Sequence, residues 1–326
     1  MVQKNGTGSV TVPCGHRFRE FTPQVPSGIK IMPKILVTVV ILVVVGLGSS
    51  FAGFVGINYG PFHRPGQGPG TRIEDEQFQK DLTQIWGGGY RHIRTYEVGE
   101  KTRMDKLVPY IKDNFPGMKV YLGIWISENN KETDDQVNTA IALANDERYK
   151  DIIECIVVGN EVELHKHLRR VVDLVREVKR RAPHVKATSC LTFGDAMDHG
   201  PTLLNESGAD FLMLNVYPFF VTHPDTIPIE QAKENTRIYG YEAGKTKSGG
   251  KPVILGEVGW PSEGPANGKA IPSVANQKRY IAEVSAAANS GELGAIFIFE
   301  AFNEPWKTWK PVEPFFGVWN SDGSPK

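Results

Sequence analysis

From Gly53 onward, short apolar runs alternate with stretches whose apolar residues recur at the helical period. Eight runs read as strands: Val55–Tyr59, His92–Tyr96, Lys119–Trp125, Ile153–Gly159, Lys186–Cys190, Phe211–Tyr217, Pro252–Gly256 and Ala295–Phe299. Between them, Phe78, Leu82 and Ile85 lie on one helical face, as do Met104, Leu107, Val108 and Ile111. Leu164, Leu168, Val171, Val172 and Val175 mark a later helix, and Tyr280, Ile281 and Val284 another. Repeated strand–helix units imply a parallel sheet, because each helix carries the chain back to the end where the previous strand began. Eight of them in the 274 residues from position 53 to 326 fit a single (β/α)₈ barrel. An open doubly wound sheet is the alternative, but no Gly-rich phosphate turn opens the first helix. Gly66-Gln67-Gly68-Pro69-Gly70 contains a proline and reads as a mouth loop. The interval between the sixth and seventh strands holds one helix with its loops, so no large inserted subdomain is expected. After Phe299 the chain turns polar and aromatic, then Pro-rich, which reads as barrel closure.

The first 52 residues follow a different pattern. Lys34 precedes a run from Ile35 to Val45 of Ile, Leu, Val and a single Thr, followed by small residues at Ser50 and Ala52. That arrangement is a secretory signal over residues 32–52, with a retained signal anchor as the competing reading. The run is shorter than the roughly 20 residues a spanning helix needs, so the mature form is expected to have no membrane span. Residues 1–31 are an upstream extension with no assigned fold. The segment 53–326 is then the barrel domain, expected to be secreted.

Of the 37 basic and 37 acidic residues, the first 52 positions hold Lys4, Arg17, Arg19, Lys30 and Lys34 against Glu20 alone. The remainder therefore carries 32 basic and 36 acidic residues, a balance that gives nucleic acid no attraction. Cys155 and Cys190 lie in apolar runs near opposite ends of their strands, so they are expected as buried free thiols. Asn205-Glu206-Ser207 is an acceptor sequence for N-glycosylation.

Two glutamates carry the chemistry. Glu161 follows the fourth strand and Glu257 the seventh, which places both at the end of a barrel where enzymes of this architecture keep their reactive groups. Strands three places apart on a ring of eight face one another across the mouth. Carboxyls about 5–5.5 Å apart support double displacement with retention at a sugar carbon, and about 6.5–9.5 Å supports inversion through water. Asn160, beside Glu161, is placed to bind a sugar hydroxyl.

The runs Ile93-Arg94-Thr95-Tyr96, Val158-Gly159-Asn160-Glu161, Asn215-Val216-Tyr217-Pro218-Phe219-Phe220, Gly256-Glu257-Val258-Gly259-Trp260-Pro261-Ser262 and Phe302-Asn303-Glu304 occur in that order. Together they resemble glycoside hydrolase family 17 in its compact microbial or fungal form, over nearly all of Gly56 to Trp319. The resemblance implies a (β/α)₈ retaining enzyme acting on β-1,3-glucan, by hydrolysis or by glucanosyl transfer. It implies Glu161 as acid/base and Glu257 as nucleophile, with Tyr217 orienting the nucleophile and Tyr59 and Tyr96 lining the cleft. Glu304 and Lys307 match an acidic position and a lysine of the family's site. Val258 after Glu257, where plant members usually have Thr, and Pro305-Trp306 after Glu304 depart from the pattern. The implied partner is glucan alone, with no cofactor, and a monomer is expected. A catalytically idle wall-binding barrel is the competing reading; the paired carboxylates argue against it.

Other residues receive plainer assignments. Glu163 is a helix-start charge. Trp125, Trp260 and Trp306 either stack on sugar or cap the core, with Trp306 assigned to the cleft. The basic helix from Lys166 to Arg181 has its apolar residues on one face, so its charges form a solvated outer surface. His165 and His167 are two apart, which points them different ways on a helix, and no metal site is expected.

Overall fold

The computed structural model describes residues 53–222 and 224–326; the signal-like segment lies outside them. Eight parallel strands close into a barrel in sequence order: β1 (Val55–Asn58), β2 (His92–Arg94), β3 (Lys119–Ile124), β4 (Ile153–Asn160), β5 (Lys186–Leu191), β6 (Leu212–Val216), β7 (Val253–Val258) and β8 (Ile296–Ile298). Helices α1 (Asp75–Gly87), α2 (Met104–Asn114), α3 (Asn130–Asn145), α4 (Leu164–Arg181) and α5 (Phe193–Ser207) follow the first five strands. After β6 come α6 (Ile229–Asn235), a π-helical stretch (Thr236–Glu242) and α7 (Ala243–Lys247), one helical path without an inserted subdomain. Helix α8 (Val274–Ser290) follows β7, and the segment after β8 ends the barrel with a 3₁₀ turn at Glu313–Phe315 in place of a further α-helix among the described residues.

Two cores result from the alternation of side chains along each strand. The inner one, inside the barrel, is built from Tyr121, Cys155, Val157, Cys190, Phe211, Met213, Ile254, Ala295 and Phe297. The outer one lies between strands and helices and holds the helical stripes seen in the sequence, such as Phe78, Leu82 and Ile85 of α1. Cys155 and Cys190 are buried and free. The helix starts are locally encoded: Asn129, Thr192 and Ser273 each accept a backbone N–H of the first turn of α3, α5 and α8. Helix α4 keeps its basic side chains outward in ion pairs such as Arg169–Asp173 and Arg181–Glu177. Glu163 is exposed at the start of α4 and pairs with Lys166. Asn205 is exposed in the last turn of α5, while Ser207 is buried and donates to the Leu203 carbonyl. Among the described residues no helix is long and apolar enough to cross a membrane.

The strand ends need one correction. Strand β7 runs on to Val258, two residues beyond the apolar run, so Glu257 lies inside the strand and not after it. A buried carboxylate is tolerated there because a buried arginine meets it.

Candidate active site

Two irregularities in the sheet aim the glutamates. Between β6 and β7 the register runs Leu214 to Leu255 and then Asn215 to Glu257, so Gly256 is an extra residue in β7. Such a bulge shifts the in–out alternation, and it brings Glu257 onto the barrel's inner face beside Asn215. Only glycine fits the bulge: a Cβ on Gly256 would come within 2.4 Å of Cys190 Sγ. A similar shift separates Val157 from Asn160 in the pairing of β4 with β5. Gly159 there has φ 78°, and Glu161 has φ 51°, a left-handed conformation that is rare for a residue with a side chain. The Glu161 N–H donates to the Cys190 carbonyl at 2.9 Å, which ties the turn to β5.

The upper layer of the barrel interior is polar. Arg94, with no exposed surface, donates to Glu257 Oε1 at 3.1 Å, Asn58 Oδ1 at 2.9 Å, the Gly256 carbonyl at 3.1 Å and Asn160 Oδ1 at 2.8 Å. Tyr96 donates to Glu257 Oε1 at 2.9 Å, and Tyr217 donates to Oε2. Three donors, one of them a guanidinium, thus converge on Glu257.

Asn215 donates to Glu161 Oε1 at 2.8 Å and to Asn160 Oδ1 at 3.2 Å, and its own Oδ1 accepts from Cys190 Sγ at 2.9 Å. Burial, followed by the negative charge of Glu257, pushes the Glu161 carboxyl up to about 7, and the Asn215 bond partly opposes that rise. Two carboxyls in one polar layer therefore have opposed environments, the pattern that separates an acid from a nucleophile.

A second buried cluster adjoins the first. Lys307 Nζ lies 2.8 and 2.7 Å from the two oxygens of Glu300 and 3.0 Å from Glu304 Oε2. Burial and the neighbouring Glu304 hold the Glu300 carboxyl well above the usual range. Trp306 is half-buried and its indole donates to Glu304 Oε2 at 2.9 Å.

Tyr96, Tyr217, Asn160, Glu161 and Glu257 are therefore brought together. Glu304 and Lys307 lie in the adjoining cluster and are buried. Tyr59 is a correction: it is fully buried and its hydroxyl donates to Asp81 of α1 at 2.8 Å. It follows inward-facing Asn58, so alternation turns it toward the helices and away from the cleft. Trp260 is core, with its indole donating to the Ile271 carbonyl, whereas Trp125 is exposed at the end of β3.

Arg94, Asn215 and Glu300 received no role from the sequence. A charged residue following an apolar strand run, the signal that marked Glu161, was available for Glu300 as well, whereas Arg94 lies inside the run His92–Tyr96. A cleft of about 620 Å³ between α3 and α4, lined by Asp134, Lys166, Arg170 and Glu177 among others, touches none of these residues.

The chain matches the family model described as the BtgE/BtgC glycoside hydrolase domain over residues 56–317. It is 27% identical over 285 residues to the probable family 17 glucosidase SCW10 of Saccharomyces cerevisiae, a match covering 83% of this chain and 66% of that protein. To the glucan 1,3-beta-glucosidase of Arthroderma benhamiae it is 26% identical over 278 residues, covering 79% and 86%. Among solved structures, the family 17 β-1,3-glucanosyltransferase of Rhizomucor miehei matches at 25% identity with a TM-score of 0.69, covering 84% of this chain and 95% of that one. With a closed eightfold barrel and the family model spanning most of its length, the chain belongs to the BtgE/BtgC glycoside hydrolase domain family, within glycoside hydrolase family 17.

Proposed function

We propose that this protein cleaves β-1,3-glucan by double displacement, with Glu257 as nucleophile and Glu161 as acid and then base. The observation that carries the assignment is the difference between the two carboxyls. Glu257 is met by Arg94, Tyr96 and Tyr217, whereas Glu161 is held protonated up to about pH 7 by burial and by Glu257.

In the first step a Glu257 oxygen bonds to the anomeric carbon, the glycosidic bond breaks, and the Glu161 proton passes to the departing oxygen. In the second, Glu161 takes a proton from the incoming hydroxyl, whose oxygen displaces Glu257 from the same carbon. Both contacts to Asn160 fall on its Oδ1, which leaves the amide nitrogen as a donor to the hydroxyl next to the reacting carbon. Water as acceptor gives hydrolysis; a glucan hydroxyl gives transfer and remodelling of wall polymer. An idle binding barrel has no use for this pair of environments. The glucan substrate and the signal-like segment together support a secreted or wall-bound location.

Incubating residues 53–326 with laminarioligosaccharides tests the reading. Products longer than the starting oligomer identify transfer, and shorter ones alone identify hydrolysis. An unchanged oligomer would sink the enzymatic reading.

A further inference from the structure

We propose that the exposed face of Trp309, backed by Trp306, is a sugar-stacking subsite that holds a glucosyl unit on the non-reducing side of the cleaved bond. The proposal rests on the glucan-cleaving reading above and extends it to a residue outside the reacting centre.

Trp309 leaves 45% of its surface in solvent, a costly place for the largest apolar side chain. Its ring is nevertheless held. It packs against Trp306 with centroids 5.3 Å apart at 66°. Trp306 packs edge-on against Phe62 at 6.1 Å and donates to Glu304 at 2.9 Å. Glu304 shares Lys307 with Glu300. A series of contacts thus links the exposed indole to the buried charges around the nucleophile. Continuity of that kind separates Trp309 from an isolated surface aromatic, which needs no explanation.

The occupant follows from chemistry. A β-linked glucosyl ring carries its hydroxyls at the rim and presents C–H groups on its faces, which suits a flat, rigid indole. A preformed face costs little side-chain entropy on binding. The side follows from topology. Glu161 protonates the departing oxygen, so the leaving sugar lies toward β4. The attacked sugar lies over Glu257 on β7. Trp306 and Trp309 follow β8, opposite β4 on the ring, so the platform meets sugar beyond the attacked unit.

Calorimetry with laminarihexaose on Glu257→Gln, which cannot turn over, tests the proposal when Trp309→Ala and Trp309→Tyr are added to it. Trp309→Ala should weaken binding about tenfold and Trp309→Tyr by less than about threefold. In the otherwise native enzyme, Trp309→Ala should lower kcat/KM for the hexaose by a similar factor while leaving the shortest cleaved oligosaccharide unaffected. Unchanged hexaose affinity, no binding by Glu257→Gln itself, or an equal loss on short and long substrates would overturn the subsite. Binding of hexaose that Trp309→Ala weakens, in a native protein that never cleaves it, would instead overturn the catalytic reading and leave the subsite standing.

Discussion

Glu161 and Glu257 sit in one polar layer of one barrel, yet their surroundings are built on opposite principles. Glu257 lies within a strand and is met by a buried guanidinium and two phenols. Glu161 lies one residue beyond its strand, on a left-handed turn, where burial and the other carboxyl favour its neutral form. The difference teaches that position at a strand end makes a carboxylate available, whereas its neighbours decide whether it attacks or donates a proton.

The comparison is broken most severely at Glu257. Glu257→Ala should lower kcat on laminarioligosaccharides by more than about 10⁴-fold, in line with removal of other covalent nucleophiles. Its circular dichroism should match that of the unaltered protein; substantial residual turnover would mean that the nucleophile is another group. Glu161→Ala should cost about 10²–10⁴-fold on glucan. On an aryl β-glucoside whose phenol leaves without protonation the first step should be nearly unaffected, and a burst of released phenol would report it. Equal losses on both substrates would remove the acid role from Glu161.

Arg94→Leu leaves Glu257 buried without its cation. Loss of one partner of a buried pair costs about 3–5 kcal/mol, so the melting temperature should fall clearly and kcat with it. Arg94→Lys should recover stability better than rate, since a point charge cannot span Glu257, Asn58 and Asn160 at once.

A smaller change sharpens the contrast without breaking it. The alkaline limb of kcat/KM should fall near pH 7, where Glu161 loses its proton. Asn215 donates to the charged form of Glu161, so Asn215→Ala should move that limb to higher pH; movement to lower pH would contradict the assignment. The smallest effect concerns stability. A carboxyl raised in the fold from an ordinary value near 4.5 to about 7 is neutral in both states below 4.5 and destabilises the fold increasingly between the two values. Glu161→Gln should therefore stabilise by up to about 3 kcal/mol at pH 8 and by nothing at pH 4, read from denaturant unfolding.

Much of this was legible in the sequence. All eight strands occur where the apolar runs place them, and the stripes of α1, α2, α4 and α8 are the faces those helices bury. Both glutamates were visible as carboxylates after such runs, and Asn160, Tyr96 and Tyr217 come to the same layer. What misled was the treatment of a strand's end as the end of its apolar run. Glu257 extends β7 because Arg94 meets it from β2, a partner 163 positions away. Tyr59, which the resemblance put in the cleft, faces the helices, because alternation from inward-facing Asn58 turns it outward. The partners of Glu300 and Arg94 are set by folding: Lys307 for the first, and Glu257, Asn58 and Asn160 for the second.

The sequence by itself determined the repeat, the barrel and the two carboxyls proposed to react, because apolar periodicity acts locally and is written in consecutive residues. The tertiary structure alone decided how those carboxyls differ. Desolvation, the bulge at Gly256 and the reach of Arg94 across the barrel arise only when distant strands close on one another, and no stretch of sequence contains them.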